Sequence, residues 1–291
     1  MGKAENQEKP VFVLGVGAQK AGTTWLHRYL SKYNCSDFGA IKEYHIWDIL
    51  HIKEVSVFDA RTKIKCLQET QKQSIRASMT GFSDVEVRFK FQTNPEQYFD
   101  YFAELLKQEN IRLTGDISPS YCGLPIDVLE KIKTNFAKRD IDVRVVFLMR
   151  DPFDRLWSAI RMYKRKGRIK EGMNLSQTDE EALLTYMLSP HAKMRNSYHE
   201  TLENLHAVFK PEDIFVGIHE NMFTEDEIRR LSKFLNLEPF TDFGEKKVNV
   251  SPVKETVSQS TRDQVRAQYS DVYKYCAEKY PQVIDLWHMD G

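Results

Sequence analysis

Residues 11–24, VFVLGVGAQKAGTT, constrain the fold of this chain more than any other stretch, because an apolar run gives way at once to glycines, a lysine and two hydroxyls. Val11, Phe12, Val13 and Leu14 show no polar alternation, which suits a strand buried on both faces of a parallel sheet. The turn that must follow is served by Gly15, Gly17 and Gly22, which allow left-handed backbone and close approach. Thr23 to Leu30 then reads as a helix with Trp25, Leu26, Tyr29 and Leu30 on one face. A strand, a glycine-rich turn and a helix N-terminus aim several backbone N–H groups and the positive dipole end at one spot, and such a spot binds phosphate.

The loop departs from the usual nucleoside-triphosphate pattern, G-x-x-x-x-G-K-[ST]. Gly17 to Thr24 read G-A-Q-K-A-G-T-T, so Thr24 keeps the hydroxyl, Thr23 stands where the lysine belongs, and Lys20 lies three places earlier. The shift weakens an ATP reading, since the usual lysine reaches the β- and γ-phosphates from the start of the helix. Gln19-Lys20-Ala21-Gly22-Thr23-Thr24, followed by Trp25, resembles the phosphosulfate loop QK-x-GTT of sulfotransferases that use 3′-phosphoadenosine 5′-phosphosulfate (PAPS). The resemblance implies that residues 19–25 bind the donor and that Lys20 takes part in catalysis.

Composition narrows the partners. Forty-two basic and forty-two acidic residues cancel, so no global field draws the chain to nucleic acid or a membrane surface, and any anion site must be local. A hydrophobic fraction of 41% over 291 residues supplies the core of one large α/β domain, read here as a single domain over residues 1–291 with a flexible start at 1–9. Cys35, Cys66, Cys122 and Cys276 form no CxxC pair, which argues for free thiols rather than a metal cluster or disulfide framework. No apolar leader and no membrane-length stretch is present in the sequence, and a cytoplasmic location is expected.

A second constellation follows at Lys42-Glu43-Tyr44-His45-Ile46-Trp47-Asp48, read from the residues alone as a short helix with a charged face. Glu43, His45 and Asp48 match the E-x-H-x-x-D of the heparan-sulfate type of sulfotransferase, which implies Glu43 as the base toward the acceptor, with His45 the alternative and Asp48 beside them. Residues 59–81 carry a narrow apolar stripe and read as a peripheral helix or a lid over the acceptor site; residues 82–92 read as extended, and 94–107 as a helix with a wide aromatic face. A strand at 111–116 ends in Ser118-Pro119-Ser120-Tyr121. The family segment there is E-K-[ST]-P-x-Y, which implies that Asp116, Ser118 and Tyr121 face the acceptor. Ile117 replaces the family lysine, and together with the neutral charge it favours a small or weakly charged acceptor over a polyanionic chain.

Residues 126–138 read as a helix, and 143–149 as a strand that ends abruptly at Arg150-Asp151-Pro152, with Asp151 as N-cap and Pro152 in the first helical position. Ser158, six residues past Pro152 and so about 9 Å along the axis, shares that helix. Arg150, Pro152, Arg155 and Ser158 fill the family's 3′-phosphate motif R-x-P-x-x-R-x-x-S, which implies Arg150 and Ser158 as donor ligands; an arginine suits a phosphate bidentately. The basic run from Arg161 through Lys164, Arg165, Lys166 and Arg168 to Lys170 reads as a solvated helix end. Helices at 176–188 (capped by Thr178) and 194–209, a strand at 213–218, a Thr224–Glu227 capping box and a helix at 261–280 against the sheet edge follow. His199, His206 and His219 read as structural or surface residues. Sulfotransferases close over the nucleotide with a loop in the region 241–260, and the resemblance implies Lys254 as that contact.

Buried strands alternating with helices imply an α/β fold, a parallel sheet flanked by helices in the three-layer P-loop-like arrangement of the sulfotransferases, with the ligand at the carboxyl ends of the strands. The expectation is a PAPS-dependent sulfotransferase, releasing 3′-phosphoadenosine 5′-phosphate (PAP), acting without metal on a hydroxyl or amine of a small-molecule or saccharide acceptor. The alternatives are a P-loop small-molecule kinase needing ATP and magnesium, and a non-catalytic nucleotide-binding protein.

Overall fold

The computed structural model describes residues 9–55, 84–168, 172–245 and 257–289. Four parallel strands form one sheet: β1 (Val11–Gly17), β2 (Leu113–Ile117), β3 (Asp142–Met149) and β4 (Ile214–Ile218), in the order β2-β1-β3-β4. β1 is central, pairing Val13 with Gly115 on one side and with Arg144 on the other. Since the chain leaves β1 for one edge and later returns to its other side, the strand order reverses at the carboxyl end of β1, the position where open α/β sheets bind ligands. The α/β parallel-sheet class expected from the sequence is the one observed, and 113–117 corrects the second strand's start by two residues.

Helices cover both faces. Over one lie α4 (Glu96–Leu105) and α5 (Ile126–Ala137), whose Phe102 and Phe136 close on Phe12 of β1 at ring-centroid distances of 4.9 and 4.0 Å. Over the other, α1 (Thr23–Leu30) packs against α10 (Glu225–Phe234), where Tyr29 and Ser232 share a hydrogen bond of 2.6 Å. α2 (Trp47–His51) and α3 (Asp84–Thr93) precede α4, and α6 (Pro152–Arg165) leaves β3 directly. Asp151 caps α6 as expected: its Oδ1 accepts from the amides of Phe153 and Asp154. α7 (Asp179–Tyr186) carries a full capping box between Thr178 and Glu181.

Several sequence expectations need correction. Residues 82–92 are expected from the sequence to be extended, but 84–93 form α3, because in a helix Arg88, Phe91 and Gln92 share one face and all three have partners in the site and core. The helix expected over 194–209 is two, α8 (Pro190–Asn196) and α9 (Tyr198–Val208), broken where Ser197 takes ψ of 64°. The helix expected over 261–280 likewise divides at Tyr269 into α11 (Gln259–Gln268) and α12 (Ser270–Lys279), and these pack on α6, α7 and α9 rather than on the sheet edge. A short α13 (Val283–Leu286) follows. Thr224 caps α10, but the return half of its capping box is missing because the Glu227 carboxylate binds Arg230 instead. The expected segment at 59–81 and Lys254 lie outside the described residues. Among the described residues no helix is long and apolar enough to cross a membrane, and Cys35, Cys122 and Cys276 are free.

Candidate active site

The loop after β1 is held by the sheet it leaves. Gly17 has φ of 131°, and a methyl group there would meet the Pro119 carbonyl oxygen at 2.6 Å, so only glycine fits this start of the turn. The amide of Ala18 donates to the Leu148 carbonyl of β3 (2.7 Å), and Ala21 donates back to Ala18 (3.2 Å), so the loop curls over the end of the sheet with Ala18 and Ala21 fully buried. Lys20 adopts φ of 72° at its crest. The first intrahelical bond of α1 runs from Leu26 to Gly22, so the amides of Thr23, Thr24 and Trp25 precede it, and no side chain caps them. Trp25 itself is buried, stacked on Tyr29, and contributes its backbone rather than its ring to this end. Gln19 accepts from the Tyr163 hydroxyl of α6 (3.0 Å), which ties the loop to the helix of the second motif.

Arg150, at the end of β3, donates from Nη1 to the Lys20 carbonyl oxygen (3.1 Å), and its Nε is buried with no protein partner. Asp154 approaches its Nη2 only to 3.8 Å. Lys20 is pulled down to about 8, by burial first and then by the charges of Arg150, Arg165, Lys166 and Arg155, all cations. Lys20 is thus crowded by cations while Asp154 meets Arg150 only at 3.8 Å, an imbalance that suits an anionic ligand. Ser158 follows on α6, half-buried. Arg155 of the same motif is fully buried and binds Asn196 of α8 through Nε (2.5 Å), so it serves the interior. Of the basic run, Lys164 is engaged by Asp179 and the Gln177 carbonyl, while Arg165 and Lys166 are exposed and contribute through their field; Lys170 lies outside the described residues.

Opposite the loop stands the segment Glu43–Asp48, which is not the charged-face helix read from the residues alone: only Trp47 and Asp48 belong to α2. His45 takes φ of 55°, and its ring spans two carboxylates, with Nδ1 2.7 Å from Asp48 Oδ2 and Nε2 3.3 Å from Glu43 Oε2. Burial would strip the imidazole of its proton, but Asp48 and then Glu43 outweigh it and raise His45 to about 10. For Glu43, burial pushes upward, and the hydrogen bond from His45 with the charges of Lys42 and His45 outweighs it, bringing the carboxyl to about 2. In this triad Glu43 is therefore a carboxylate and His45 an imidazolium at neutral pH.

Three consecutive amides of this segment are held from β2 and the turn after it. Tyr44 donates to Asp116 Oδ1 (3.4 Å), His45 to Ser118 Oγ (3.1 Å) and Ile46 to the Tyr121 hydroxyl oxygen (3.2 Å). Asp116 in turn accepts from the hydroxyls of Ser118 (2.7 Å), Tyr121 (2.7 Å) and Tyr98 (3.1 Å). Asp116, Ser118 and Tyr121 are thus fully buried, standing behind the Glu43–Asp48 segment rather than on the open face expected of acceptor ligands, because their polar atoms are spent on its backbone and on each other. From the other side Arg88 donates twice to the Glu43 carbonyl (2.7 and 3.2 Å) and Gln92 to that of His45 (3.0 Å). Ile117 is fully buried against Gly15, so its position on β2 points into the core.

Two residues at the site were not singled out for it by the sequence. Lys42 donates to Thr24 Oγ1 and to Glu43 Oε1, both at 2.8 Å, joining the loop helix to the triad. His219, just past β4, packs behind the loop, where a methyl group on Gly22 would lie 3.4 Å from its Nδ1; burial and the Arg150 charge lower it to about 4, keeping it neutral. Neither has a spacing signal, since both contacts arise only when distant strands end at the same edge. Among the described residues no group of three or more His, Cys, Asp or Glu side chains is placed to hold a metal ion.

No curated protein sequence is significantly similar to this chain. Among solved structures it resembles the sulfotransferase from Alicyclobacillus acidocaldarius, at 19% identity with a TM-score of 0.57 over 95% of both chains. It also resembles the sulfotransferase domain from the curacin biosynthetic pathway, at 15% identity with a TM-score of 0.50, over 92% of this chain and 97% of that one. At such identities the likeness is one of fold. The sequence profile of the sulfotransferase domain matches residues 10–282, a span that takes in the loop around Lys20, the Glu43–Asp48 segment and the Arg150 helix alike, and the chain belongs to the sulfotransferase domain family.

Proposed function

We propose that this protein transfers a sulfuryl group from PAPS to a hydroxyl or amine of a small-molecule or saccharide acceptor, with Glu43 as the base. The observation that carries the reading is the crowding of cations around Lys20, with Arg150 met by Asp154 only at 3.8 Å, together with a Glu43 held ionised at the end of the same sheet. The residues fit the donor: the α1 amides and Lys20 suit its 5′-phosphosulfate, and the buried, unpartnered Nε of Arg150, with Ser158, suits its 3′-phosphate. Thr23, in the place of the nucleoside-triphosphate lysine, is only 5% exposed, which speaks against an ATP loop.

When bound, the donor supplies an electrophilic sulfur joined to a phosphate leaving group. Glu43 accepts the acceptor's proton as the acceptor oxygen or nitrogen bonds to sulfur. Lys20 and the loop amides stabilise the phosphate oxygen that keeps the electron pair of the broken S–O bond. His45, held by Asp48, orients Glu43 and keeps it ionised. Asp116, Ser118 and Tyr121 fix the backbone that carries this pair. The test is transfer of labelled sulfuryl from PAPS to a panel of small hydroxylated and amino compounds, including saccharides. Transfer that disappears in Glu43→Gln supports the reading; full transfer by that variant contradicts the assignment of the base.

A further inference from the structure

Lys42 belongs to none of the motifs, yet its ammonium group touches both halves of the site. Thr24 Oγ1, on the first turn of α1, is the donor side, and Glu43 Oε1 is the acceptor side; Lys42 Nζ is 2.8 Å from each. Among the described residues two of its three N–H groups are so engaged, and the third is left for a ligand oxygen. The side chains of Lys42 and Glu43 are 37% and 31% exposed, so both reach the open face of the site. A group passing from donor to acceptor must cross between Thr24 and Glu43, the place this cation occupies.

We propose that Lys42 is a catalytic residue that contacts the sulfuryl oxygens during transfer, an inference resting on the sulfotransferase reading above. In that step the acceptor–sulfur bond forms, the sulfur–oxygen bond to the phosphate breaks with its electron pair left on the phosphate, and the acceptor's proton passes to Glu43. Lys42 stays protonated throughout, and its charge sits against the sulfuryl oxygens that remain on sulfur. A purely structural Lys42 would only hold Glu43 in place and would be indifferent to whether the nucleotide carries a sulfuryl group.

The two roles separate in binding as well as in rate. In Lys42→Met, calorimetry without acceptor should give PAP affinity within about twofold of wild type and PAPS affinity about tenfold weaker. With acceptor, kcat should fall about 100-fold, the usual cost of removing one charge-stabilising donor, and Lys42→Arg should recover most of both losses. Lys42→Gln, with its melting temperature recorded, serves if the methionine variant does not fold. PAP and PAPS weakened equally, or both unchanged, overturn the proposal while leaving the sulfotransferase reading intact if wild type transfers sulfuryl. Wild type that binds neither nucleotide overturns both.

Discussion

Arg150 donates from Nη1 to the main-chain carbonyl of Lys20 at 3.1 Å, although 130 residues separate them. The contact joins the ends of β1 and β3, neighbours in the sheet, and sets the loop around Lys20 beside the helix that follows Arg150. Different losses follow from the two residues. Lys20→Ala should lower kcat by about 100- to 1,000-fold, since it removes charge from the leaving phosphate, with little change in PAP affinity. Arg150→Ala should weaken PAP binding by about 10- to 100-fold and change kcat less. Single-turnover kinetics beside calorimetry checks the split, and normal turnover in Lys20→Ala would remove it from the mechanism.

The pH profile distinguishes the two bases. Glu43 at about 2 is ionised throughout the working range, so with Glu43 as base kcat/KM is flat from mildly acidic to neutral pH. Lys20, lowered to about 8, then loses its proton, and kcat/KM declines above that pH. With neutral His45 as base the rate would instead climb toward pH 10, because His45 is held protonated up to about 10. A rise in kcat/KM between pH 7 and 10 would contradict the role given to Glu43.

Asp116 is expected to act at a distance from the chemistry. Asp116→Ala leaves the hydroxyls of Ser118, Tyr121 and Tyr98 and the amide of Tyr44 without their shared acceptor in a fully buried place. A loss of about 3 kcal/mol in urea unfolding is expected. In Asp116→Asn, which keeps the shape, kcat should fall while PAP affinity holds, because the carboxamide disturbs the backbone under Glu43 and not the loop. Reduced PAP affinity with unchanged kcat would show that the cradle serves the donor instead.

The parts legible in the sequence are those whose physics is local. The apolar run and glycines of residues 11–24 specify a buried strand, a tight turn and a helix start within one stretch, and Asp151-Pro152 announces α6 in the same way. Glu43, His45 and Asp48 are grouped in the sequence only through the resemblance to the E-x-H-x-x-D of the heparan-sulfate type, and the structure does bring them within hydrogen-bonding distance. What could not be read there depends on partners far along the chain. The mixed aromatics and charges of 82–92 suggest an extended segment, and the helix forms because Arg88 and Gln92 find the carbonyls of Glu43 and His45 some 45 residues away. Asp116, Ser118 and Tyr121 look like acceptor ligands because they match the family segment E-K-[ST]-P-x-Y; only the amides of residues 44–46 reveal which way they face. Lys42 gave no signal, since its bond to Thr24 spans two elements that meet only in the fold.

The central claim is that the cationic loop at Lys20 and Arg150 holds a 3′-phosphorylated adenine nucleotide. Calorimetry of the wild-type chain with PAP and with ATP, each with and without magnesium, tests it directly. Saturable PAP binding that does not depend on magnesium and is lost in Arg150→Ala is expected, with ATP bound far more weakly. Tight binding only to ATP in the presence of magnesium would contradict it.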